Sequence, residues 1–262
     1  ITFKAVSQTD VEIGGKPWNI WIDKTVPAAA TLSMEKEEQD VTLIANGEEG
    51  ENPFFSTDTV TVTSPAADDG SAISVAYRLN SAADAEWIPL SGNTITGLQN
   101  GVNTLEIRTK DEAGNKVDKT YEIHTETTKP ELVSVAMKDV QGEELPTNTW
   151  TNGAVTVTLT GTSSAGAEIV DYEYRMKSST ENEWTEWTSI TVDGKGSLDA
   201  TGKTGIFKTS AEETAGTNYQ FRVKTASGSY STDENAAKNQ QLVKIDTTKP
   251  VITTTNDNIT VE

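Results

Sequence analysis

Thr57-Asp58-Thr59-Val60-Thr61-Val62-Thr63 is the stretch that sets the fold class. Valine and threonine branch at Cβ, which stiffens χ1 and suits the pleated surface of a strand. Their alternation puts the valines on one face and the threonines on the other, as in a strand with one buried face. Ala154-Val155-Thr156-Val157-Thr158 repeats the pattern in the second half of the chain. No long stretch carries the i, i+3, i+4, i+7 apolar spacing of an amphipathic helix. Residues 34–40 (MEKEEQD) are rich in helix formers but too short and too polar to pack. The predicted class is all-β.

Composition narrows the functions. The chain has 262 residues, with 21 Lys and Arg against 40 Asp and Glu, a net charge of −19. Such a charge speaks against nucleic-acid binding, which needs a basic face to displace phosphate counterions, and against docking on anionic lipid. There is no cysteine, so disulfides, thiol nucleophiles and thiolate zinc sites are excluded. With a single histidine, His124, no site can be built from several histidines of this chain. No run approaches the roughly 18 apolar residues that span a bilayer.

One punctuation mark occurs three times: Ile22-Asp23-Lys24-Thr25-Val26-Pro27, Glu126-Thr127-Thr128-Lys129-Pro130 and Ile245-Asp246-Thr247-Thr248-Lys249-Pro250. Each ends an alternating strand, with an acid four residues before proline and a threonine two before it. Proline cannot donate to a ladder and holds its predecessor extended, so each copy reads as a strand end entering a short stiff linker. The three prolines lie 103 and 120 residues apart, the size of a β-sandwich. The interiors match in order: Val75-Ala76-Tyr77-Arg78 with Tyr172-Glu173-Tyr174-Arg175, Trp87 with Trp184 or Trp187, and Leu105 to Lys110 with Tyr219 to Lys224. Turn clusters such as Asp68-Asp69-Gly70-Ser71 and Asp193-Gly194-Lys195-Gly196 separate the strands. The expected plan is residues 1–26 as the last strands of a preceding unit, complete sandwiches at 27–129 and 130–249, and 250–262 as the first strand of a following unit.

The linker, the Tyr-Arg plus Trp pairing and Asp111-Glu112-Ala113-Gly114-Asn115 together resemble bacterial immunoglobulin-like repeats, which occur in tandem on exported and cell-surface proteins. The second unit has Ala226-Ser227-Gly228-Ser229 in place of the Asp-x-Ala-Gly-Asn turn, and its segment Tyr219 to Val223 is similar to fibronectin type III modules. The resemblance implies tandem immunoglobulin-like Greek-key β-sandwiches, an extracellular, cell-surface or secreted location, and a stalk, spacer or adhesion role without catalysis.

Several residues are candidates for binding. Asp23, Glu126 and Asp246 stand at the linkers, where an interdomain calcium ion would stiffen the joint. Their simpler reading is a strand-terminal acid bonded to nearby amides or threonine hydroxyls. Asp111 to Asn115 offers oxygens for calcium, but lacks the alternating acidic series of a calcium loop. Its simpler reading is a turn with Gly114 and Asn115 at positive φ and Asp111 bonding local amides. Thr255-Asn256-Asp257-Asn258 faintly resembles the cadherin calcium stretch, but lies in an expected first strand rather than a linker.

Trp184 and Trp187 stand three apart, so a regular strand would bury one indole and expose the other. Trp187 with Trp150 is the candidate carbohydrate platform; the competing expectation is that each unit's Trp fills its core. No Asp/Glu pair is marked out for glycoside hydrolysis, and His124 reads as a solvated strand residue. A Lys–Asn isopeptide crosslink remains open, with no trio singled out. Expected partners are neighbouring repeats of the same chain, and a host matrix protein or a glycan. A receptor would meet the long loops 193–218 and 226–241. The favoured reading is a non-enzymatic surface spacer or adhesion fragment, its modules joined as a rod. The alternative is a set of accessory carbohydrate-binding modules of a secreted polysaccharide-degrading enzyme.

Overall fold

The alternation of the sequence becomes burial in the structure. Val60 and Val62 are buried and Thr61 and Thr63 face outward; Val155, Val157 and Leu159 are buried in the same way. A computed structural model describes residues 22–67 and 72–251 with their side chains, except that of Asp193. It describes the backbone alone of β1 (Lys4–Val6), β2 (Glu12–Gly14), β21 (Ile252–Thr255) and β22 (Asn258–Val261). The turn cluster 68–71, Trp18, Trp21, Asn256 and Asp257 lie outside the described residues.

The first set of strands is β3 (Thr31–Lys36), β4 (Gln39–Thr42), β5 (Phe54–Phe55), β6 (Val60–Thr63), β7 (Ser74–Leu79), β8 (Ile88–Pro89), β9 (Thr94–Ile95), β10 (Gly101–Lys110) and β11 (Lys116–Thr125). They form two sheets, β4-β3-β6-β9 and β5-β11-β10-β7-β8. The chain changes sheet from β6 to β7, returns from β8 to β9, and changes again to β10, the immunoglobulin-like sandwich pattern. Leu32, Met34, Phe55, Ile95, Leu105 and Ile123 fill the space between them.

The second set is β12 (Glu131–Lys138), β13 (Trp150–Thr151), β14 (Thr156–Thr162), β15 (Ile169–Ser178), β16 (Thr188–Ser189), β17 (Gly196–Leu198), β18 (Thr204–Lys208), β19 (Thr214–Thr225) and β20 (Gln241–Ile245), with the helix α1 (Asp233–Lys238) before β20. Its sheets, β12-β14-β18-β17 and β13-β20-β19-β15-β16, repeat the first plan except at one edge, where β17 pairs with β18 and no strand stands beside β12 as β4 stands beside β3. The registers agree pair by pair. Arg78 opposes Glu106 as Arg175 opposes Gln220, and Asn103 opposes Ile123 as Thr217 opposes Val243. This core is aromatic, with Tyr172, Tyr174, Phe207, Tyr219 and Phe221 in contact. Gly205 makes room for it: a Cβ there would lie 2.6 Å from the Tyr172 ring. The buried Tyr172 hydroxyl donates to the Lys203 carbonyl at 2.6 Å, and burial pushes its pKa up to about 12.

Four expectations change. Residues 34–40 are the β3–β4 hairpin, turning at Glu37 and Glu38 with φ of 48° and 64°. Half of the stretch 193–218 is strand, because β17, β18 and the start of β19 lie within it. The stretch 226–241 carries α1, capped by Thr232, whose side chain accepts from Asn235 N. The Asn235 and Asn239 side chains then bond the Leu132 backbone, so this insertion latches onto its own sandwich. After Pro250 the backbone forms a hairpin in which Thr255 opposes Asn258, rather than a single strand.

Candidate functional site

The same turn is built twice, with different side chains. After β10, Asp111 N donates to the Asn115 carbonyl at 3.1 Å and Gly114 N to the Asp111 carbonyl at 3.4 Å. After β19, Thr225 N donates to the Ser229 carbonyl and Gly228 N to the Thr225 carbonyl, both at 3.0 Å. Gly114 and Gly228 take left-handed φ of 101° and 87°, which glycine adopts without strain. Asn115 keeps negative φ, against expectation, and contributes its side chain, whose Nδ2 donates to Asp111.

In the first turn the carboxylate is local. Asp111 Oδ1 accepts from Gly114 N at 2.7 Å and Asn115 N at 2.8 Å, and Oδ2 accepts from Asn115 Nδ2 at 2.9 Å. Burial works to raise the Asp111 carboxyl, but these donors outweigh it and hold its pKa below the ordinary value. The second turn has Thr225 and Ser227, both fully buried, and no acid of its own.

The acid comes from the other sandwich. Glu126, one residue past β11, is 2% exposed. Its backbone N–H donates to the Phe55 carbonyl at 2.7 Å. Its Oε2 accepts from the hydroxyls of Ser227, at 2.6 Å, and Thr225; its Oε1 accepts from the Ser163 hydroxyl in the β14–β15 loop. A buried carboxylate needs such donors, since a buried polar group without a partner costs about 1–3 kcal/mol, and more if charged.

Other contacts flank Glu126. Asn100 donates through Nδ2 to Ser164 Oγ at 3.0 Å and accepts from Thr128 N at 3.0 Å. The tip of the β3–β4 hairpin reaches the second turn: Lys36 Nζ donates to the Ala226 carbonyl at 2.7 Å, and Glu37 Oε1 lies 2.9 Å from Lys224 Nζ. The hydrogen bond and charge of Lys224 hold the Glu37 carboxyl below its ordinary value, and the hydrogen bond that Lys224 donates to Glu37 raises Lys224. A Cβ on Gly228 would stand 3.0 Å from Glu37 Cγ, so this approach favours glycine.

The three linker acids occupy separate places. Asp23 Oδ1 accepts from Thr25 N at 2.8 Å and Asp246 Oδ1 from Thr248 N at 2.9 Å, the same local turn. Glu126 is one methylene longer and leaves that turn: Thr128 N goes to Asn100, and the carboxylate extends into the next sandwich. Asp23 instead meets the first turn, its carbonyl accepting from Asn115 Nδ2 at 3.3 Å. The structure does not gather Asp23, Glu126 and Asp246, and among the described residues no three His, Asp or Glu are grouped to hold a metal ion.

Trp150 and Trp187 are also apart. Trp150 is in β13 and Trp187 precedes β16, at opposite edges of one five-stranded sheet. Trp150 is 54% exposed, with Lys244 Nζ 5.6 Å from its ring centre. Trp187 is half-buried on the outer face, with the Arg175 and Arg222 guanidiniums each 4.5 Å away. Arg175 also stacks on Trp184, and Arg222 Nε bonds Glu173 at 2.6 Å. In the first sandwich Trp87 meets Arg78 and Arg108 at 4.3 and 4.1 Å in the same way. Trp87, Trp184 and Trp187 thus line outer sheet faces rather than fill cores. Residues 180–187 precede the strand, so strand alternation does not divide Trp184 from Trp187. Cation–π contact and cover for the arginine stems explain the recurrent Tyr-Arg plus Trp signature.

His124 pairs with its own strand neighbour, Nε2 lying 3.1 Å from Glu122 Oε1, and packs on Phe54. No hydroxyl nucleophile is hydrogen-bonded to it among the described residues.

No family model and no curated protein matches the chain. Among solved structures it is similar to the fibronectin(III)-like modules of CbhA from Clostridium thermocellum. The identity is 12% and the TM-score 0.34, over 78% of this chain and 92% of that one. The sandwich assignment rests on the strand order given above.

Proposed function

We propose that this chain is a non-catalytic spacer of an exported bacterial protein, whose two sandwiches are held in one mutual orientation by the Glu126 joint. The observation that carries this reading is a buried carboxylate of one sandwich spending its bonding capacity on three hydroxyls of the other. A flexible tether has no use for such a contact. Groups committed to each other across a joint resist bending, and the neighbouring linker prolines limit the chain's freedom.

Residual dipolar couplings test it. One alignment tensor should fit both sandwiches of the native chain, and two should be needed for Glu126→Ala. Independent tensors in the native chain would end the spacer reading. The carbohydrate-binding reading keeps one favourable observation, the exposed Trp150. Retention on insoluble polysaccharide, lost in Trp150→Ala, would move the assignment there.

A further inference from the structure

The two sandwiches differ at the end away from their incoming linker. In the first, Asn103 plugs that end. It is fully buried and makes five hydrogen bonds: Nδ2 to the Gln99 and Gly101 carbonyls and to Thr125 Oγ1, and Oδ1 from Gln99 N and Asn80 Nδ2. Leu98 is buried beside it. By register, the second sandwich has Thr217 where the first has Asn103, Met176 for Leu79, and Tyr219 for Leu105. The corresponding loop is Thr209-Ser210-Ala211-Glu212-Glu213, with Ala211 exposed where a plug would need an apolar side chain.

With the plug gone, a cleft of about 350 Å³ opens, floored by Met176, Tyr219, Val243 and Ile245. Tyr219 is 6% exposed, and its hydroxyl has no hydrogen-bond partner among the described residues. The rim carries Glu181, Glu183 and Glu212, none ion-paired among the described residues. Glu213 is already committed to Thr247 and Thr248. The one rim cation, Lys177, is turned to Trp184, its Nζ 4.9 Å from the ring. A second depression shares Glu213, Thr214 and Ile245 with the cleft and continues to the exposed Trp150.

We propose that this cleft binds an extended basic peptide, taking the aliphatic stem of a lysine or arginine on its apolar floor and the cationic head at Glu181, Glu183 and Glu212. The Tyr219 hydroxyl bonds the peptide backbone or head, and Trp150 offers a π face to a second basic residue. An apolar floor under an anionic rim matches a side chain with a long hydrocarbon stem and a charged tip. A neutral sugar would leave the anionic rim of Glu181, Glu183 and Glu212 without a cation.

Titrating the full chain, isotope-labelled, with an eight-residue peptide of alternating Lys and Ser tests this. Signals of Met176, Tyr219 and Ile245 should shift, while the same peptide with every lysine acetylated should leave them unmoved. Glu181→Gln with Glu183→Gln should weaken binding about tenfold or more, in line with loss of charged hydrogen bonds. Thr217→Asn should restore the plug and abolish binding with the β-sheet spectrum retained. The proposal falls if the peptide shifts no cleft signal, or if the acetylated peptide binds equally. It also falls if a gluco-oligosaccharide saturates the cleft instead, or if contacts from residues 252–262 already fill it in the free chain. None of these outcomes depends on the Glu126 joint, which the dipolar couplings report separately.

Discussion

The turn at 111–115 and the turn at 225–229 share backbone, register and a left-handed glycine, yet one is complete and the other is not. The first brings its own acid, Asp111, and satisfies it with its own amides. The second brings hydroxyls and takes its acid from the preceding sandwich. A turn that closes on itself is a stability element; a turn that lacks one charge becomes a socket. The two sandwich ends differ in the same way, Asn103 closing one and Thr217 leaving the other open. Substitutions that keep the backbone can thus convert a self-sufficient site into one that needs a partner.

The largest effect is expected where self-sufficiency is deepest. Asn103→Ala removes all five bonds, strands the Gln99 amide and the Asn80 side chain, and leaves a cavity; a loss of about 3–5 kcal/mol is expected. Calorimetry should show the transition of the first sandwich moving down by more than that of the second, which loses only its coupling through the joint.

Glu126→Ala comes next. It leaves two buried hydroxyls, Thr225 and Ser227, and the half-buried one of Ser163 without their carboxylate acceptor and should cost the joint about 2–3 kcal/mol, read as loss of coupling between the two unfolding transitions. Thr225→Asp sharpens the comparison, because it rebuilds the first turn's acid in the second turn and sets it against Glu126. It should open the joint while leaving each sandwich folded, and adding Glu126→Gln should close it again.

A smaller gain is expected at the hairpin tip. Glu38 sits at φ 64°, a conformation glycine takes without strain, so Glu38→Gly should stabilise the first sandwich by about 0.5–1 kcal/mol in denaturant unfolding.

The smallest effect is that of pH on the Glu37–Lys224 pair. The docked state lowers the Glu37 pKa, so its contribution is whole above the ordinary value of 4.5 and is lost as pH falls through the docked value. Docking raises Lys224, so its contribution is whole below the ordinary 10.5 and is lost as pH rises through the docked value. Glu37 is more than half exposed, so water screens the pair and the change should stay under about 0.5 kcal/mol. Amide shifts of Ala226 and Gly228 between pH 6 and pH 3 should register it, and Glu37→Gln should flatten the response.

Much of this was legible in the chain. The Thr-Val alternation carries the all-β class, because a period of two is a property of the strand itself. The ordered match of Tyr77-Arg78 with Tyr174-Arg175 anticipates the registers, since opposed residues must change together. The acid of each linker was visible, but not that Glu126 alone leaves its strand end: one methylene decides it, and the hydroxyls it meets lie 37 to 101 residues away. The tryptophans misled, because hydrophobic size suggests a core, whereas flanking arginines hold the rings on the outer face. The plug and the cleft were invisible because only strand register makes Asn103, opposite Ile123, and Thr217, opposite Val243, equivalent positions.

The sequence by itself determined the period-two strands, the places where chain must turn, and the three strand-end linkers with their acids, all of which follow from local sterics and chain spacing. Only the tertiary structure decided which acid is buried, which turn is a socket, which sandwich end is open and where the indoles lie. Those depend on atoms brought together across long separations, where a difference of one carbon or one hydrogen bond selects the partner.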